Sequence, residues 1–317
     1  MKNILVTGGA GFIGSHLCEA LIRKGNKVVC VDDLSTGNTN NISHLQDNFK
    51  FVKGDANSYD VLKSVFNENQ FDSVFHYAAI VGVDRTLENP VSVLNDIKGT
   101  QHILDLSKDK GVKEVIFASS SEVYGEPVEI PETEEGPLNA KLPYAVTKLM
   151  SEQLLKAYYE EFGIKTTSLR FFNVYGPKQD SSPYGFVVGI FIEQILKGLS
   201  PTIFGDGTQT RDFVYIEDNI NAALQELDNQ KCAGEIINIG TGRPVTILDL
   251  GETLLKVMGS NKEPIHMETE RIDIKHRFPD VSKMRAMLSF RPKYKLEEGL
   301  AKTIDWYKQK KSFTSFN

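Results

Sequence analysis

Apolar residues follow two alternating rhythms along the first half of the chain. Short runs rich in β-branched and aromatic residues occupy 3–7, 27–31, 49–53, 73–77, 114–119 and 165–171. Between them, apolar positions recur at helical spacing over 13–24, 58–68, 91–110 and 143–162. Runs of that length suit strands buried on both faces. A helix after each strand makes neighbouring strands parallel with right-handed crossovers. The pattern predicts an α/β protein with a doubly wound parallel sheet. After Phe172 the rhythm breaks. A stretch from 176 to 185 rich in Gly, Pro and Ser leads to the turn Gly205-Asp206-Gly207, shorter elements, and a helix near 296–307. This predicts a smaller C-terminal substrate-binding lobe over the carboxyl edge of the sheet. The expected division places 1–172 and about 212–240 in the first domain, and 173–211 and about 241–307 in the lobe. A polar tail at 308–317 is expected to fray.

Charge narrows the function. The 317 residues hold 42 acidic and 36 basic side chains, a net charge of −6. That balance argues against nucleic acid or an anionic membrane surface as partner. Phosphates would have to meet local cations and backbone amides. Cys18, Cys30 and Cys232 form no CxxC pair, which fits inert thiols in a reducing compartment. The chain enters its first apolar run directly after Met1-Lys2-Asn3. No signal peptide precedes it, and no apolar run approaches the roughly 20 residues that span a bilayer. The cytoplasm is the expected location.

The first strand runs into Gly8-Gly9-Ala10-Gly11-Phe12-Ile13-Gly14 and then a helix. Such glycines let the chain turn sharply, bring backbone N–H groups to a pyrophosphate, and pack the helix close on the strand. Asp32 ends the second strand, where a carboxylate binds adenosine ribose hydroxyls. Residues 33–38 supply no Arg or Lys for a 2′-phosphate. The expected cofactor is NAD, in a Rossmann-type sheet.

Tyr144 and Lys148 are four residues apart, one helical turn, and so share a face. A lysine beside a tyrosine, with a cationic nicotinamide nearby, is expected to lower the phenol's pKa so that it can take a hydroxyl proton. Ser119-Ser120-Ser121 ends the strand that precedes them, at the sheet edge where ligands of this architecture bind.

With these residues in place, the chain resembles the extended short-chain dehydrogenase/reductases, in the nucleotide-sugar epimerase, dehydratase and decarboxylase group. The likeness runs through Thr7–Gly14 as quoted, Gly54-Asp55, His76-Tyr77-Ala78-Ala79, Asn95 with Gly99-Thr100, and Ser119 to Gly125. It continues through Tyr144 and Lys148, Arg170 to Pro177, Gly205-Asp206-Gly207 with Thr210 to Val214, and Asn238-Ile239-Gly240. The resemblance implies that Asp55 meets adenine and that Ala56, Ala78, Ala79 and Asn95 line the cofactor site. Tyr144 is implied as the base, Lys148 as the ribose holder, and Ser120, with Ser121 beside it, as the contact to the reacting sugar hydroxyl. Asn173, Arg211 and Arg271 are implied to grip the substrate diphosphate. Family members commonly dimerise through a four-helix bundle. Here that points to helices 91–110 and 143–162, with Ile97, Ile103, Leu104, Val146, Leu149 and Leu154 as their apolar faces.

Glu122 divides the possible reactions. Hydride abstraction at C4 gives a 4-keto sugar that can be re-reduced on its other face, lose CO₂ from a C6 carboxylate, or lose water. Dehydratases resemble Asp-Glu at the pair equivalent to Ser121-Glu122, so Ser121 removes the acid they need. UDP-glucuronate decarboxylases resemble Ser-Glu, and Arg277 matches an arginine that steers their carboxylate. Lys178-Gln179-Asp180 and Ser182-Pro183-Tyr184-Gly185 look like the 4-epimerase substrate loop. The expected activity is UDP-hexose 4-epimerisation, with the decarboxylase as alternative. A sensor that binds NAD without catalysis is set aside, because such proteins lose the Tyr or Lys that this chain keeps. His76 reads as a strand-end cap rather than a base. Phe290 and Trp306 read as core of the second lobe.

Overall fold

A computed structural model describes residues 1–182, 185–268 and 274–314. Its first half alternates β1 (Asn3–Thr7), α1 (Phe12–Arg23), β2 (Lys27–Asp32), β3 (Phe49–Lys53), α2 (Tyr59–Glu68) and β4 (Ser73–His76). It continues with α3 (Val83–Glu88), α4 (Pro90–Leu94), α5 (Asp96–Lys110), β5 (Glu114–Ser120), α6 (Pro143–Phe162) and β6 (Lys165–Phe171). The second half comprises β7 (Asn173–Tyr175), α7 (Val187–Leu196), β8 (Thr202–Phe204), β9 (Thr210–Tyr215), α8 (Ile216–Glu226) and β10 (Glu235–Ile239). It ends with β11 (Pro244–Thr246), α9 (Ile247–Val257), β12 (Ile265–Met267), α10 (Ser282–Leu288) and α11 (Leu296–Thr314).

Among the described residues, seven strands form one parallel sheet in the order β10-β6-β5-β4-β1-β2-β3. The chain winds outward from β1 to β3 and then restarts at β4 on the other side. The carboxyl ends of β1 and β4 therefore flank the switch point where such sheets bind ligands. Successive strand residues feed two different cores. Ile4, Val6, Val28 and Cys30 join one cluster with α1 and α8, while Leu5, Val29 and Val31 pack with Leu62, Phe66, Ile103 and Leu155 on the other face. Burial of both faces explains why β1, β2 and β5 carry near-continuous apolar runs.

The boundaries differ from expectation in four places. The single helix expected over 91–110 is two helices, because the Asn95 N–H bonds Ser92 O in a tight turn. The carboxylate of Asp96 then ties the start of α5 to Ile80 N and Asn57 Nδ2, both at 3.0 Å. Helix α11 runs on to Thr314, past the end expected near 307. Residues 210–215 pair with β7 and β11 in a separate three-stranded sheet, whereas 235–239 joins the edge of the large sheet and α8 packs on α1. Ile103 and Leu104 are fully buried in the core, and Leu149 and Leu154 pack against it. Of the expected apolar faces Val146 is exposed, as are Val91, Leu94 and Met150 beside it in sequence or on the preceding helix. Among the described residues no helix is long and apolar enough to cross a membrane.

Candidate active site

The turn after β1 is built by what its glycines lack. Gly8 has φ +70°, and a Cβ there would stand 2.7 Å from Ala78 N. A Cβ on Gly14 would lie 2.1 Å from Gly8 O, so the missing side chain lets α1 sit against the turn. Gly11 opens α1, and Phe12 and Ile13 follow in its first turn with N–H groups that have no intrahelical partner. Asp32 accepts Ala10 N at 2.9 Å and Leu34 N at 2.8 Å, which locks the end of β2 to this turn. Burial raises its pKa, against those two bonds. Gly8, Gly11, Phe12, Ile13, Gly14, Asp32, Ala78 and Ala79 all line one crevice. Asp55 and Asn95 line a neighbouring depression, and Ala56 is buried. The cradle, filled by any Cβ and rimmed by amides, fits a dinucleotide pyrophosphate.

Strand β5 and helix α6 deliver the reactive groups to that crevice. Pro143 starts α6 at its first position, where no N–H is missed. Tyr144 follows, and Lys148 stands one turn later with Nζ 5.6 Å from the Tyr144 ring centre. Nζ donates to Ala118 O at 2.7 Å and lies 4.6 Å from the Phe117 ring. Burial pushes Lys148 down to about 8, with Asp96 and Glu152 pulling the other way. The Tyr144 hydroxyl hydrogen-bonds Ser120, yet burial holds its pKa well above the ordinary range. The expected lowering is for a phenol beside Lys148 and a cationic nicotinamide; in the protein alone, desolvation of the phenolate outweighs the Ser120 hydrogen bond that favours it.

Ser121 and Glu122 open a short 3₁₀ turn after β5, and the Glu122 N–H bonds Ser120 Oγ at 3.2 Å. The structure brings Glu122 and Arg277 together. The Arg277 guanidinium donates to the Glu122 carboxylate and, at 2.9 Å, to Gly125 O. Arg277 is 2% exposed, whereas Glu122 lines the crevice. Asn173 also lines the crevice, at the start of β7. Arg211 sits on β9, two positions before Phe213, the register partner of Asn173, and donates to Thr210 O and Ile274 O at 2.8 Å. Arg271 lies outside the described residues. Among the described residues no group of His, Cys, Asp or Glu is arranged to hold a metal ion.

Residues 4–240 match the family model described as the NAD dependent epimerase/dehydratase family. The chain belongs to this family. NAD is its cofactor. Among solved structures it is similar to a UDP-glucose 4-epimerase from Thermotoga maritima with UDP-glucose. The identity is 37% and the TM-score 0.92, over 97% of this chain and 99% of that one. It is also similar to a UDP-N-acetylglucosamine 4-epimerase from Methanobrevibacter ruminantium in complex with UDP-N-acetylmuramic acid. There too the identity is 37% and the TM-score 0.92, over 98% and 99% of the two chains. A curated relative from Bacillus cytotoxicus, a UDP-N-acetyl-alpha-D-glucosaminuronate decarboxylase, is 36% identical over 97% of this chain and 98% of its own.

Sequence reasoning missed the groups that hold the epimerase-family site in shape. Arg170 on β6 grips Glu152 of α6 with Nε and Nη2, at 2.9 and 2.8 Å, deep in the protein. Glu152 also accepts Ser119 Oγ at 2.5 Å, and Arg170 Nη1 reaches Tyr124 Oη at 2.9 Å. One signal was available. Glu152 stands four residues after Lys148, on the face shared with Tyr144. His76 is the strand-end group expected. Thr7 Oγ1 accepts from Tyr77 N and Ala78 N, so its own hydrogen goes to His76 Nδ1 at 2.8 Å. Burial pushes the imidazole down to about 3, which leaves it neutral and unsuited to act as a base.

Proposed function

We propose that the protein is an NAD-dependent UDP-sugar 4-epimerase of the glucose/galactose type, acting through transient oxidation at C4. One observation supports this above the rest. The crevice brings together one proton-transfer set among the described residues, Ser120, Tyr144 and Lys148. Re-reducing a ketone on its other face asks for no further acid or base. Likeness to the Thermotoga maritima epimerase with UDP-glucose favours the same substrate class.

Bound NAD supplies a hydride acceptor and donor for the sugar carbon, and a positive ring charge. Gly8, Gly11, Phe12, Ile13, Gly14, Asp32, Ala78 and Ala79 would hold it, with Asp55, Ala56 and Asn95 toward the adenosine. Tyr144 takes the sugar hydroxyl proton during oxidation and returns it during reduction. Ser120 orients that hydroxyl through its bond to Tyr144. Positive charge at Lys148 favours the phenolate that the proton transfer requires. Asn173 and Arg211 are assigned to the diphosphate, and Arg271 keeps the same assignment from the resemblance alone. In this reading the small sheets and α7, α9 and α10 make the substrate lobe. A homodimer would bury Val91, Leu94, Val146 and Met150.

A second reading, UDP-glucuronate decarboxylase, is favoured by the meeting of Glu122 and Arg277 beside the crevice and by the Bacillus cytotoxicus relative. Proton NMR time courses with NAD⁺ and UDP-glucose, UDP-N-acetylglucosamine or UDP-glucuronate separate the two. New galacto-configured anomeric signals are expected. UDP-xylose or its 4-keto precursor from UDP-glucuronate would overturn the epimerase reading.

A further inference from the structure

The loop that follows β7 is fastened to the helix of the glycine cradle. Lys178 sits on that loop with φ +69°, a left-handed conformation that a residue with a side chain keeps only when its surroundings hold it. The side chain is 12% exposed, and its three ammonium hydrogens have three acceptors on two other segments. These are the Glu19 carboxylate and Ser15 Oγ (3.4 Å) on α1, and Asn41 O (3.1 Å) in the segment after β2. Glu19 is steadied in turn by His44 Nε2 at 2.8 Å. One residue before Lys178, Pro177 O accepts a hydrogen from His16 Nε2 of α1 at 3.0 Å. Burial and the Lys178 charge lower the pKa of that imidazole. Ser15 Oγ also donates to Phe12 O at 3.1 Å, and Phe12 lines the crevice.

On its other side the loop reaches the strand assigned to the substrate. Gln179, 2% exposed, donates Nε2 to Val174 O at 2.9 Å, and its own carbonyl accepts Tyr307 Oη of α11 at 2.6 Å. Asn173 and Val174 line the crevice, and β7 pairs with β9, which carries Arg211. The cradle has ties of its own. Ala10 O accepts Asn38 N and Asn41 Nδ2, and Asp32 accepts Ala10 N and Leu34 N. Losing the Lys178 ammonium would therefore free the loop and leave the cradle in shape. We infer that Lys178 is a positioning residue: it holds the strand that meets the substrate diphosphate at a set distance from the cofactor cradle. All three of its hydrogens are taken, so it acts through β7 and not by touching a phosphate. This rests on the assignment of Asn173 to the diphosphate.

The test reads the two ligands separately. UDP is titrated calorimetrically into the protein saturated with NAD⁺, and NAD⁺ into the protein without UDP. The proteins are wild type, Lys178→Met, Glu19→Gln, the double variant Glu19→Gln/Lys178→Met, and Asn173→Ala. Lys178→Met is expected to weaken UDP about 10-fold while NAD⁺ affinity stays within about 2-fold. Its kcat for UDP-glucose should fall about 10-fold or more, since a misplacement of about 1 Å can cost that much. Glu19→Gln should weaken UDP less, and the double variant no more than Lys178→Met alone, because both changes act on one contact. Unchanged UDP affinity in Lys178→Met, losses that add in the double variant, or equal weakening of UDP and NAD⁺ overturns the positioning role. Each of those results leaves the epimerase reading standing if the wild type epimerises UDP-glucose. Wild-type UDP affinity in Asn173→Ala overturns the diphosphate assignment and the positioning role with it. A wild type that binds no UDP overturns both this inference and the UDP-sugar reading.

Discussion

Removing the Glu152 carboxylate tests whether the site is held together from beneath. Arg170 and Glu152 are each 1% exposed, and their two hydrogen bonds are the guanidinium's main neutralisation. Glu152→Ala leaves a positive charge with no route to water. Breaking a buried pair on one side costs about 3–5 kcal/mol. At ~2–4 °C per kcal/mol for chains of this general size, the melting temperature should fall by roughly 10 °C. Tyr124 Oη and Glu134 O, which also contact Arg170, offset part of the loss but carry no full charge. The double variant Glu152→Ala/Arg170→Met should recover much of the stability, because it removes both charges together. Thermal unfolding followed by circular dichroism reads all three proteins. A single variant that melts within about 2 °C of wild type would refute the reasoning, as would a double variant no more stable than the single. A second readout belongs to the site. Glu152 raises the pKa of Lys148, so its loss should move any alkaline limb of kcat/KM to lower pH.

Three further outcomes follow from the same geometry. Tyr144→Phe should lower kcat about 10²- to 10⁴-fold in an epimerisation assay while the melting temperature stays within a degree or two; retention of a tenth of the activity would remove Tyr144 as the proton carrier. Gly14→Ala places a Cβ 2.1 Å from Gly8 O, so α1 must move off the turn. Titration with NAD⁺ should show at least about 10-fold weaker binding and a lower melting temperature, and unchanged binding would mean the cradle tolerates the shift. Lys148 has a folded pKa of about 8, below its unfolded 10.5, so the unfolded chain holds that proton more tightly and stability from this group rises with pH across that window. Lys148→Met is therefore expected to melt at or above the wild-type temperature at pH 7, with the difference closing as pH climbs from about 8 toward 10. A variant several degrees less stable at pH 7 would show that the ammonium gives net stability.

The sheet was legible because its central strands are buried on both faces and read as apolar runs, and because β-branched and aromatic residues mark the others. Three strands, 3–7, 49–53 and 165–171, fall where the runs begin and end. The break before α5 was not legible, because it is held by Asp96 reaching Ile80 and Asn57, contacts that exist only after folding. The convergence of Ser120, Tyr144 and Lys148 was legible, since a strand end and one helical turn fix their placement. Glu122 and Arg277 were each singled out, but their pairing spans 155 residues and no local rule predicts it.

Protonation was the least legible feature, for a definite reason. A sequence shows which charges are present but not how much water they lose. Reading Tyr144 beside Lys148 suggests an acidified phenol, yet burial moves the phenol up and the ammonium down, each toward its neutral form. The same desolvation accounts for both shifts, so neither can be explained by the pair's mutual attraction. Further positive charge in the crevice would act against that bias, because it favours phenolate in a low-dielectric site far more than it would in water. The glycine cradle and the reactive pair share one crevice, which puts the arriving cofactor's charge where that bias must be overcome.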